Sequence, residues 1–215
     1  MKGMLLKDIF LLKELKKMVF LFAAVSIMML IGGGNEAIVL GYFNVLMLSV
    51  AMNSTSYDDY NNGYSFLFTL PITRKEYVKE KYIFGFLVGF SGWLFTVVIT
   101  SVSLLARGKM NVGEWGPICL IFLGLSILGL SVSLPAAIKY GSDKGRIMMI
   151  LFMAAIFVII VLGEKLVTRM GIDLDELIYR LFDSQLIPLI SVVIVILAAF
   201  ISYSSSVKII EKKEF

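Results

Sequence analysis

The chain has 215 residues, 59% of them hydrophobic, and a mean hydropathy of +0.90. Soluble domains carry roughly 45–50% apolar residues, so a water-soluble enzyme or binding module is excluded. The net charge is +4 and there is no histidine, which removes H-E-x-x-H metal sites and histidine-dependent hydrolases, and Cys119 alone cannot form a disulfide within the chain.

Crossing roughly 30 Å of hydrocarbon takes about 20 helical residues. Six apolar runs come near that length: Met18–Gly33, Ala37–Asn53, Tyr82–Ala106, Pro117–Ile138, Ile147–Gly163 and Ile187–Tyr203. None contains Asp, Glu, Lys or Arg. They are continuously apolar rather than alternating, which favours helices over barrel strands. The expected fold is an all-α membrane protein, residues 1–215 forming a single transmembrane domain with six spans. No A-x-A-like cleavage site follows the first run, so it reads as a retained span.

Residues 1–17 place Leu5, Leu6, Ile9 and Leu12 at helical spacing. This suits a helix lying in the interface before the first span, or simply a basic flank. Gly32-Gly-Gly-Asn-Glu36 is short enough to make spans one and two a tight hairpin. Gly85, Gly89 and Gly92 in span three, and Gly124, Gly129 and Ser133 in span four, form small-residue faces where helix backbones can approach. Between spans five and six, Leu174, Leu177, Ile178, Leu181 and Phe182 predict an outer amphipathic helix.

With an even number of spans, both termini lie on one side. Fifteen of the 20 basic residues fall there and five on the other, which places both termini in the cytoplasm by the positive-inside rule.

The segment Phe66–Tyr82 is the dense charged exception. Pro71 interrupts any arriving helix and biases Leu70 toward an extended backbone. Thr73-Arg-Lys-Glu76 is a capping box, so a new helix starts there and runs on into span three as a stalk. Arg74 and Lys75 occupy its first turn, where the helix dipole disfavours cations. They are explained either by positive-inside anchoring or by an acidic or phosphate-bearing partner. Upstream, Asp58 and Asp59 stand among Tyr57, Tyr60, Tyr64, Phe66 and Phe68, an aromatic-rich element of the kind found in protein contacts. The paired carboxylates read as a solvated face or contact surface rather than as acid–base chemistry.

Asp58-Asp-Tyr-Asn-Asn-Gly63, then Phe68-Thr-Leu-Pro-Ile-Thr-Arg-Lys-Glu-Tyr-Val78 and Lys81-Tyr82, resembles the signature of small six-span ABC-2-type transporter permeases, including those of bacterial peptide exporters such as the phenol-soluble modulin exporter. Leu134-Pro-Ala-Ala-Ile-Lys-Tyr-Gly-Ser-Asp-Lys-Gly-Arg-Ile147 resembles that family's loop between spans four and five, with Lys139, Tyr140, Gly141, Lys144 and Arg146. The resemblance implies that the loop between spans two and three supplies a coupling helix to a cytoplasmic ATPase. It puts Asp58, Asp59, Asn62, Gly63, Leu70, Pro71, Arg74 and Lys75 at or beside that contact, with Tyr64 and Phe66 in the same element.

The chain has no G-x-x-x-x-G-K-[ST], so it does not bind ATP as a P-loop protein does; the resemblance implies partner ATPase subunits, two per complex, that carry ATP and Mg, with no cofactor on this chain. The other expected partners are a second permease chain, identical or related, and the lipid bilayer, with no nucleic acid. The resemblance implies a bacterial plasma membrane as the setting. Absence of charge from the spans suits a hydrophobic or amphipathic cargo moving outward. Asn44, Thr96, Thr100 and Ser126 are candidates to line its path, although helix-to-helix hydrogen bonds explain them equally well. Two other readings stay open: a scaffold or sensor that recruits a partner without transport, and a channel or ion-coupled carrier.

Overall fold

The computed structural model describes residues 2–60, 63–69, 71–169 and 186–213, and the secondary structure among them is helical. In chain order the helices are α1 (Lys2–Glu14), α2 (Lys16–Ile31), α3 (Glu36–Asp59), α4 (Gly63–Leu67), α5 (Arg74–Ala106), α6 (Val112–Tyr140), α7 (Ser142–Arg169) and α8 (Leu186–Lys212). Among the described residues five helical stretches are long and apolar enough to cross a membrane: α3, α5, α6, Ser142–Gly163 of α7 and Ile190–Lys212 of α8. The first apolar run forms α2, whose 16 residues span about 24 Å at 1.5 Å per residue, short of the roughly 30 Å of hydrocarbon. The expected outer helix from Asp173 lies outside the described residues.

Local chemistry sets the boundaries. The turn before α3 contains Gly33 at φ +82°, a conformation glycine adopts without a Cβ clash. Asn35 then caps α3, its side chain accepting from the amides of Ala37 at 2.8 Å and Ile38 at 3.4 Å. The Thr73–Glu76 capping box that opens α5 is complete in both directions. Asn111 caps α6, accepting from the Gly113 amide at 3.1 Å. Gly141, at φ +94°, is the single non-helical residue between α6 and α7.

Helix α3 packs against α2, α5, α6 and α7, and Val39, Leu40, Phe43, Leu48 and Met52 are buried along it. The glycine faces are spent inside the subunit. A Cβ on Gly92 of α5 would sit 2.6 Å from the Met47 side chain, and a Cβ on Gly89 of α5 or Gly129 of α6 would sit 3.3 Å from the Leu48 side chain. By contrast α7 and α8 present large apolar side chains outward, with Phe157, Ile159, Ile196 and Phe200 each more than 60% exposed. Lipid is the solvent such a surface suits.

Met4 of α1 and Ile210 of α8 share one buried cluster with Tyr64, Leu67, Tyr77, Val78 and Ile138. Both ends of the described chain therefore lie at one end of the bundle, the N/C end. The α2–α3 turn and the α5–α6 turn lie at the far end.

Candidate functional site

Helix α3 does not stop where its apolar run stops. It continues to Asp59, carrying Ser54 and Asp58, one helical turn apart, on one face. Helix α5 begins two turns before its own apolar run, because Thr73 accepts from the Glu76 amide at 3.2 Å and donates its own amide to Glu76 Oε2 at 3.0 Å. The two extensions stand side by side at the N/C end, and α1 crosses them.

Lys81 fastens the three helices. Its Nζ lies 2.6 Å from Asp8 Oδ2, 2.6 Å from Asp58 Oδ2 and 2.5 Å from Ser54 Oγ. The side chain is 1% exposed. Ser54 donates in turn to Asp8. Lys7 closes the outside of the group, donating to Asp58 and lying 3.2 Å from Asp8 Oδ1. Glu80 is also fully buried, 3.6 Å from Lys81. Burial works against the charged form of Asp8, but the charge and hydrogen bond of Lys81, then Ser54 and Lys7, outweigh it and hold that carboxyl below the usual range.

A second layer is aromatic. Tyr64 of α4 meets Tyr77 of α5 edge to face at 5.6 Å, and Phe68 meets Tyr77 at 6.0 Å. The Tyr77 hydroxyl donates to the Tyr64 hydroxyl at 3.3 Å. Burial pushes the Tyr64 phenol up to about 12. Arg74 stands over Phe68 and Lys213 over Tyr64, at 5.7 Å and 5.0 Å from the ring centroids.

Cations in the third layer close helix C-termini. Arg74 donates to the carbonyls of Ile210 and Glu211 at 3.0 Å and 2.7 Å. Lys75 pairs with Glu211 at 3.5 Å, and Lys213 donates to the Ile138 carbonyl at 3.0 Å. A cation at a helix C-terminus complements the dipole. Arg74 and Lys75, unfavourable for the start of their own helix, are thus placed against the end of another. Arg146 of α7 donates to Asn53 and, at 2.7 Å, to Ser56 of α3. Gly141 lies beside Asp59, where a Cβ would sit 3.0 Å from Oδ2.

These placements correct part of the sequence reading. Asp58 is neither in a loop nor solvated: it belongs to the last turn of α3 and is 5% exposed, because Lys81 and Lys7 compensate its charge. The aromatics divide, with Tyr64 buried at 4% exposure while Tyr57 and Tyr60 face outward at 49% and 73%. Pro71 is exposed, Lys75 is 69% exposed, and Asp59 and Gly63 are intermediate. Asn62, Leu70 and the Phe66 side chain lie outside the described residues. Of the second loop, Lys139, Tyr140 and Lys144 are exposed, both lysines resting on the Tyr140 ring at 4.8 Å and 5.5 Å.

The path candidates are buried inside the bundle. Thr96 donates to the Gly92 carbonyl at 2.6 Å, Thr100 to Thr96 at 2.6 Å and Ser126 to Phe122 at 2.7 Å, each within its own helix. Asn44 reaches the Phe122 carbonyl at 3.5 Å.

Sequence reasoning missed Asp8, Ser54, Glu80 and Lys81. A signal was present for Asp8 and Lys81. Asp8 lies between Leu5 and Leu12 on the apolar stripe of α1, and Lys81 is in helical register with Phe84, Gly85 and Val88 on the buried face of α5. A charge on an apolar stripe predicts a buried partner.

A model for ABC-2 family transporter proteins matches residues 3–211. The chain belongs to the ABC-2 transporter family. It is a multi-pass membrane protein and a transmembrane permease component of an ABC transporter. No curated protein and no solved structure matched the chain. Among the described residues, charged side chains at the N/C end tie α1, α3 and α5 to one another, α5 to α8 and α3 to α7.

Proposed function

We propose that the chain is the membrane subunit of an ABC exporter in a bacterial plasma membrane, moving a hydrophobic or amphipathic cargo such as a peptide, an antimicrobial or a lipid-like molecule, with ATP hydrolysed on two separate ATPase subunits. In this reading α2 is the first of six spans, tilted or locally thinning the bilayer to meet its length. The N/C end is cytoplasmic, α1 lies in the interface, and a second permease chain completes the path.

The observation that carries the reading is the tying of α1, α3, α4 and α5 into one body at the N/C end, through Lys81, Tyr64 and Tyr77. A partner that pushes on α4 or its flanks therefore moves the end of α3 and the start of α5 together, which is what coupling needs. The face it would grip is the outward one, Tyr57, Tyr60, Pro71 and Lys75, with Asp59 and Gly63 beside it, while Asp58, Tyr64 and Arg74 hold that face in shape. Closure of the ATPases on ATP would then shift the bundle between inward- and outward-facing populations.

The test is reconstitution with the ATPase subunit in liposomes. Cargo-stimulated, vanadate-sensitive hydrolysis is expected, falling at least about tenfold in Tyr60→Ala with Lys75→Glu while membrane insertion is kept; a tenfold change corresponds to about 1.4 kcal/mol. Full hydrolysis and transport in that double variant rejects the grip assignment. A chain that transports without any ATPase rejects the class.

A further inference from the structure

Three carboxylates, Asp8, Asp58 and Glu80, are buried at the α1–α3–α5 crossing, and two ammonium groups, Lys7 and Lys81, face them. With every group ionised the cluster carries one uncompensated negative charge, out of water. Its location is legible from the contacts. Lys81 has three N–H bonds and three oxygens at 2.5–2.6 Å, from Asp8, Asp58 and Ser54, and Glu80 lies a full ångström farther out. Neither Glu80 oxygen has a hydrogen-bond donor, although the residue is 0% exposed. A buried carboxylate with no donor is strongly disfavoured, whereas a carboxylic acid needs only one acceptor. Asp8 is the acceptor at hand, since its Oδ2 and Glu80 Oε2 flank the same Lys81 Nζ at 2.6 Å and 3.6 Å.

We propose that Glu80 is a proton-binding site, holding one proton that it donates to Asp8, so that the cluster is neutral and α1 is fastened to the base of α5. The groups that bear on this proton are Lys7 and Asp8 from α1, Asp58 from α3, and Lys81 and Tyr77 from α5. The tyrosine is the one neutral member. Loss of the proton as the pH rises through neutrality leaves two carboxylates facing each other and loosens the α1–α5 joint. The cluster thereby makes the fastening of α1, and anything transmitted through it, sensitive to pH. The inference rests on the geometry of the cluster and stands whether or not an ATPase grips the neighbouring face.

Infrared difference spectroscopy on the purified chain in lipid nanodiscs tests it. At mildly acidic pH the wild type is expected to show the C=O stretch of a protonated, hydrogen-bonded carboxylic acid, shifted in D2O. The band is lost in Glu80→Gln and kept in Asp143→Asn, whose carboxylate is 90% exposed. Glu80→Gln retains a donor toward Asp8 and keeps neutrality, so its thermal midpoint is expected to hold steady from mildly acidic to alkaline pH, while that of the wild type falls between mildly acidic and neutral pH and then levels off. Absence of the band from the wild type, its persistence in Glu80→Gln, or parallel midpoints in the two proteins overturns the proposal. So does a wild-type midpoint that follows sodium concentration with no acid band, which would place a metal cation where the proton is assigned.

Discussion

The two ends of the bundle are held by charge in different ways. At the far end Glu36 pairs with Arg107 at 3.2 Å, and Arg107 also donates to the Leu30 carbonyl, tying the α2–α3 turn to the end of α5. Those side chains are 15% and 31% exposed. At the N/C end Lys81 and Asp8 are at most 1% exposed and share three helices between them. A wet pair stabilises by a fraction of a kcal/mol to about 1 kcal/mol, since water competes for both partners. A dry cluster adds little net stability over an apolar replacement, yet removing one member strands the others. The far-end pair trims a turn, whereas the N/C cluster makes the relative position of three helices all-or-none.

The contrast is broken most severely by Lys81→Met. It leaves Asp8 and Asp58 buried without their shared cation and is expected to cost about 3–5 kcal/mol, read as a collapse in thermal midpoint and in the yield of monodisperse protein. Lowering the pH attacks the same end more gradually. The Asp8 carboxyl is held below its ordinary range, so the stability it contributes is complete above the unfolded-state value and is lost as pH falls through the folded one. Wild type is therefore expected to lose thermal stability on acidification below the usual carboxylate range, and Asp8→Asn, already destabilised, to lose less over the same interval.

Arg107→Met sharpens the comparison from the other side. Its expected cost is about 1 kcal/mol, seen as a small shift in midpoint that added salt largely removes from the wild type as well. A loss as large as that of Lys81→Met would erase the distinction between the ends. The smallest effect belongs to Lys75→Ala, which removes an exposed pair with Glu211 and is expected to change stability by no more than about 0.5 kcal/mol, with the same melting curve as the parent.

Much of this architecture was written locally. The capping box at Thr73–Glu76 placed the start of α5 from four residues, and the run of glycines ending at Asn35 placed the α2–α3 hairpin. Both are decided by backbone chemistry within one turn, which is why they can be read without a fold. The cluster at Lys81 is decided by residues 27, 46, 51 and 73 positions apart, and no local rule brings them together. Asp58 also sits just beyond an apolar run, where charges ordinarily mark the membrane boundary, so its solvated reading was the natural one. The extension of α3 to Asp59 reverses it, because an unbroken helix keeps Asp58 on the face that Ser54 already buries. Tyr64 follows the same logic: its partner Tyr77 lies across a turn, and only the return of α5 turns an aromatic-rich loop into an internal seam. The glycines of α5 were legible as a close-packing face, and their partners, Met47, Leu48 and Leu130, became known only from the packed helices.

Site-specific photocrosslinking in the native membrane tests the central claim most directly, that the N/C end is the surface gripped by an energy-supplying ATPase. A photoreactive residue at Tyr60, 73% exposed at the N/C end, is compared with one at Val112, 72% exposed at the far end. The account predicts a covalent adduct from Tyr60 whose partner carries a P-loop by peptide mass, and none from Val112. An adduct with such a protein from Val112 alone, or from neither position in a membrane that transports, contradicts it.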